Sequence, residues 1–140
     1  MPERPEPGLF ARGVTARLEL AAGRVLLAGL FLAGAVQKVM QPDTASALLA
    51  GFGLPGWLVW PAMIFNAGAA CLLIANLCLR PVSRALAFYC LVTSAFHVVP
   101  SDPWQMSIMV KNWALAGGLL VLSASTADRG REETRLAPKR

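Results

Sequence analysis

Six side chains able to carry charge or hydrogen-bond interrupt the apolar stretches of this chain: Lys38, Asn66, His97, Gln105, Lys111 and Asn112. They are two amines, one imidazole and three amides, and the one carboxylate within the apolar stretches is Glu19, at the far end of the first from Lys38; Asp43 and Asp102 fall in the connecting loops. A set with this surplus of N–H donors suits an anion, a carbonyl or a quinone oxygen. It does not suit a hard cation, which takes carboxylate oxygens. His97 is the only histidine, and one imidazole makes no metal site, so no metal is expected. Cys71, Cys78 and Cys90 form no Cys-x-x-Cys pair and read as small apolar filler. Serine nucleophile motifs, glycine-rich phosphate loops and haem attachment sites are missing from the sequence.

Each of the six has a plainer alternative: Lys38 as an interfacial anchor, His97 as a packed ring, Asn66 as interhelical glue. Together they point to one polar pocket, because they come from four different apolar segments and fall at similar depth. Lys111 lies seven residues beyond Trp104, roughly 10 Å along a helix. Gln105 and Asn112 share a helix face at i and i+7. Arg24 lies two turns inside the first segment, with Glu19 nearby, and is read as a structural anchor whose stem snorkels to the interface.

The elements that must position these groups are helices in a membrane. Four stretches, Leu18–Met40, Trp57–Leu79, Val82–Val99 and Trp104–Ser125, approach the roughly 20 apolar residues needed to cross a bilayer. Of the 140 residues, 56% are hydrophobic and 15% charged, more apolar surface than a soluble domain of this size buries. The expected fold is all-α, a four-transmembrane-helix bundle. Arg4, Arg12 and Arg17 precede the first span, Arg80 and Arg84 link the second to the third, and five basic residues follow the fourth. The loops 41–56 and 100–103 carry no Lys or Arg. The positive-inside rule therefore puts both termini in the cytoplasm, N-in and C-in, in an inner or plasma membrane. Topology and lipid headgroups account for the net charge of +5. Nucleic acid is not an expected partner, since the basic residues sit in short tails without interleaved aromatics.

Residues 1–17 and 126–140 are expected as disordered cytoplasmic tails around a membrane domain at 18–125, and the N-terminus does not read as a cleavable signal. In the first outer loop, Asp43 or Thr44 is placed to cap a short interfacial helix over Ala45–Ala50, ended by Gly51 and Gly53. Pro55, Trp57 and Trp60 mark the outer interface of the second span, with Trp104 at and Trp113 below the same interface. Ala67, Cys71 and Ala75, Ala114 and Gly118, and Gly29, Ala33 and Gly34 offer small surfaces for close helix packing. A homo-oligomer is compatible with such surfaces.

The ordered set of features resembles the DoxX family of small four-helix membrane proteins. Arg24, Gly34 and Lys38 match its first helix, Gly53-Leu54-Pro55 its Gly-x-Pro element, His97 the end of its third helix, and Gln105, Lys111-Asn112 and Gly117-Gly118 its fourth. The likeness runs from about Arg24 to Leu122. Two positions depart from it. Gly34 precedes Lys38 by four residues, with Ala35 at the usual place, and Asn66 stands ahead of Ala67-Gly68-Ala69-Ala70 where the family carries a Glu. The resemblance implies a small membrane subunit of a quinone-linked oxidoreductase system acting on reduced sulfur compounds. Lys111 and His97 would then hydrogen-bond quinone carbonyls. With no covalently bound cofactor, the chain is not catalytic alone, so a redox-protein partner is implied. The alternatives are a non-catalytic assembly or anchoring subunit and, ranked last for want of an internal repeat, a small organic-anion carrier.

Overall fold

The computed structural model describes the backbone of residues 7–136 and the side chains of residues 13–127. Three helices open on proline: α1 at Pro7–Met40, α2 at Pro42–Ala50 and α5 at Pro103–Leu136. The missing N–H is harmless there and the fixed φ favours a helix start. Helix α3 spans Val59–Ile74 behind a 3-10 turn at Gly56–Leu58, and α4 spans Leu79–Ser94 and runs into a 3-10 turn at Ala95–His97. Three segments are long and apolar enough to cross a membrane: Gly13–Met40, Gly56–Ile74 and Pro103–Ala127. The chain is a membrane protein.

Several boundaries differ from expectation. Residues from Pro7 and on to Leu136 are helical where tails were expected; residues 1–6 and 137–140 lie outside the described part. Helix α3 stops at Ile74 rather than Leu79, because Asn76 (φ 59°) and Cys78 (φ 48°) turn left-handed. Helix α4 falls outside the set of crossing segments. Its first two turns hold Arg80 and Arg84, and the stretch free of charge begins only at Ala85. The short outer-loop helix exists, but Gln41 rather than Asp43 or Thr44 stands at its N-cap, without a side-chain bond.

Helix α1 lies along α3 and α4 along α5, with α3 also touching α4. All four contribute to one core of Ala28 and Phe31, Ala69, Ala70 and Leu73, Leu86, Ala87 and Cys90, and Ala116, Leu119 and Leu122. Alanines at these positions let the backbones approach. Polar residues set the phase of each helix, because their hydrogen-bonding groups find no partner in hydrocarbon. Asn66 turns inward and takes Ala69, Ala70 and Leu73 with it; Asn112 does the same for Ala116 and Leu119, and Ser83 for Leu86, Ala87 and Cys90. This phase corrects the expected small-residue faces. Cys71 and Ala75, Ala114 and Gly118, and Gly29 and Ala33 all lie exposed.

The outside is apolar. Leu26, Leu32, Ile64, Phe88, Val110 and Val121 are exposed, as are Trp57, Trp60, Trp104 and Trp113. Hydrocarbon is the solvent such a surface fits.

Candidate functional site

The site is built on the inward stripe of α1, where Arg24, Ala28, Phe31, Ala35 and Lys38 follow one another at helical spacing with the two cations at its ends. Lys38 is half-buried, and its Nζ donates to the Gly34 carbonyl at 3.2 Å. Gly34 also leaves a notch toward α3. A Cβ there would sit 3.6 Å from Asn66 Nδ2 and 3.9 Å from Lys38 Nζ. Lys38 and Asn66, from two helices, therefore meet over one glycine. Asn66 is 3% exposed, and its Oδ1 has no hydrogen-bond partner. Its side chain lies near that of Tyr89 on α4.

Lys111 on α5 completes the cationic group. Its charge is felt at Lys38 and at Cys90. It is exposed rather than turned into the interior as the sequence indicated. Two ammonium groups thus repel one another beside a buried amide. An oxygen-bearing ligand between them would relieve that repulsion.

The remaining expected residues lie on the α4–α5 side and are paired. His97 Nδ1 and Gln105 Oε1 are 2.6 Å apart. The amide oxygen only accepts, so Nδ1 carries the proton, and neutral His97 presents a lone pair at Nε2. Asn112 Nδ2 donates to Thr93 Oγ1 at 3.4 Å, and Thr93 Oγ1 donates to the Tyr89 and Cys90 carbonyls at 2.9 and 3.2 Å. Phe52, in the loop after α2, meets Phe96 edge-on at 5.0 Å and roofs this end of the molecule. Arg24 is half-buried near the middle of α1, four turns before Lys38, and its Nε is buried without a partner. Tyr89 was not anticipated. Its position one turn before Thr93 was the available signal. Among the described residues, no group of three or more His, Cys, Asp or Glu is placed to hold a metal ion. A shallow, mostly apolar groove along Gly29, Leu32, Ala33, Val36, Gln37, Met40 and Gln41 contains none of the six expected residues.

Glycine beneath lysine on the first helix, and histidine closing the third, are the features expected of one family, and the DoxX family model matches residues 19–99. The chain belongs to the DoxX family. The match covers Arg24, Gly34, Lys38, Asn66 and His97 and ends before α5, so Gln105, Lys111 and Asn112 lie beyond it. No curated protein and no solved structure matches the chain.

Proposed function

We propose that this DoxX-family protein is a small membrane subunit of a quinone-linked oxidoreductase system, and that it holds a quinone at the outward end of its helices. In this reading all four long helices cross the membrane as a bundle, with both termini cytoplasmic. The absence of Lys and Arg from the loops 41–56 and 100–103 supports that orientation. A plasma membrane location follows from the same charge pattern.

The observation that carries the site is the meeting of Lys38 and the buried Asn66 over Gly34, with the charge of Lys111 felt at Lys38. Lys38 has three N–H groups and gives one to Gly34. The others, with Lys111, are donors for a quinone oxygen. His97 borders the same outward end, oriented by Gln105. Asn112 ties α5 to α4. Electrons come from a redox-protein partner, since this chain's own side chains carry none. The family's Glu, replaced here by Asn66, would have added a carboxylate beside Lys38; without it the site stays cationic and moves no proton through α3.

The test is binding of a short-chain benzoquinone to the full chain in lipid nanodiscs, with Lys111→Ala, His97→Ala as the comparison. Unchanged affinity in the double variant would defeat the proposal. A second reading, an assembly subunit, draws on the Asn112–Thr93 and His97–Gln105 bonds, which are satisfied within the chain. It expects the same substitutions to weaken partner retention without changing any ligand affinity.

A further inference from the structure

We propose that two copies of this chain pair in the membrane along the bare face of α1, each seating the other in the groove at Gly29 and Ala33 and exchanging hydrogen bonds through Gln37. The pairing is independent of the quinone reading and uses none of its residues.

Helix α1 turns one face to α3 and leaves another uncovered. Along the uncovered face Gly29, Ala33 and Gln37 recur every fourth residue, all exposed, so they stand in one row. The row lies in the groove bordered by Leu32, Val36 and Met40, which offers about 490 Å³. Gly29 has no use within a single chain. A Cβ there would meet no atom within 4 Å, whereas one at Gly34 would meet Asn66 and Lys38. A notch of this kind admits a second helix backbone, and close backbone approach is what joins helices where lipid supplies no hydrophobic drive.

Small residues do not choose the occupant; Gln37 does. Among the described residues no hydrogen bond reaches its side chain. Gly34 faces Asn66, so on the antiparallel α3 Gln37 is level with Met63, a turn below Trp60 in the topology proposed above. Hydrocarbon has no partner for an amide at that level, and an acyl chain in the groove would leave it without one. An amide both donates and accepts. The same side chain on a two-fold-related copy therefore completes it, Nε2 of each donating to Oε1 of the other. A two-fold contact is one patch meeting itself, and no charged residue lines this groove. The exposed row of Ala114 and Gly118 on α5 fails that condition. It shares its face with the exposed Lys111, so pairing there would set like charges together.

The experiment measures energy transfer between full chains carrying a donor or an acceptor dye at the C-terminus, mixed in phosphatidylcholine vesicles over a range of protein-to-lipid ratios. Transfer above that of random encounter is expected, linear in the acceptor fraction as a closed pair requires. Gly29→Leu, whose side chain points away from the chain's own packing, should weaken the pairing by about a hundredfold with thermal unfolding unchanged. Gln37→Leu, which fills no space but removes the amide, should weaken it by about tenfold. Gly118→Leu should leave it as it was. Transfer at the random level at every ratio overturns the proposal, and so does a pairing that survives both Gly29→Leu and Gln37→Leu. Loss of pairing in Gly118→Leu with none in Gly29→Leu moves the contact to α5 and overturns it as well.

Discussion

The two sides of this molecule treat their polar groups differently. Toward the His97 end of the α4–α5 side the groups have partners, His97 with Gln105, Asn112 with Thr93, and Ser94 with the Cys90 carbonyl at 2.7 Å, although the buried Ser83 hydroxyl at the start of α4 has none. On the α1–α3 side the Asn66 carbonyl has none, and Lys38 reaches only the backbone of its own helix while Lys111 repels it. In water such a contrast would mean little, because solvent finishes any incomplete set. In hydrocarbon it separates groups that hold helices together from groups that wait for something else.

The sharpest way to break the comparison is to remove the charges on the incomplete side. Lys38→Met with Lys111→Met should weaken quinone binding by about a hundredfold, the effect of losing charged hydrogen bonds, while thermal unfolding in detergent moves little. A large loss of stability instead would make these lysines structural. Gly34 offers a steric version. Alanine there meets Asn66 Nδ2 at ordinary contact distance, so Gly34→Ala should bind within a few-fold of wild type, whereas Gly34→Leu fills the notch and should lose about tenfold. Binding isotherms of the two variants side by side decide it. On the complete side the signs reverse. Asn112→Ala should leave ligand affinity alone and destabilise the bundle by about 1 kcal/mol, the usual scale of an interhelical bond in lipid, read from denaturant unfolding. The smallest effect belongs to the α3–α4 turn, away from both sides. Cys78 sits at φ 48°, and Cys78→Gly should relieve that strain for a gain below about 1 kcal/mol, the looser unfolded chain offsetting the rest. A higher midpoint with unchanged binding is the expected result.

The helical class and three membrane-crossing segments were legible because hydropathy over long windows is a strong signal. Lys38, Asn66 and Lys111 could be singled out from sequence for the same reason: charge and amide stand out in an apolar run. The helix phases were not legible from small residues. Spacing made Ala67, Cys71 and Ala75 an attractive face, yet Asn66 decides the orientation, and the face it turns inward is that of Ala69, Ala70 and Leu73. An amide without water outweighs a row of methyl groups in fixing which side faces protein. The pairing of His97 with Gln105 depends on the chain folding back through the loop after α4, and no local pattern encodes that return. Lys111 was expected inside and lies exposed because α1 and α5 do not close against each other at that level. The outer-loop helix was found but its cap was misread, since Pro42 starts the helix before Asp43 can cap it.

Helix α4, with Arg80 and Arg84 in its opening turns, has a consequence for how the protein is made. In the proposed topology it is the segment a translocon would admit least readily on its own, because arginine within a span is penalised at insertion. It must be carried in by its neighbours, as the second arm of a hairpin with α3 and as the partner that α5 packs along its length. A ribosome that stops after α4 would therefore leave that arm at the membrane surface, and the emergence of α5 is the event that commits it to the bilayer.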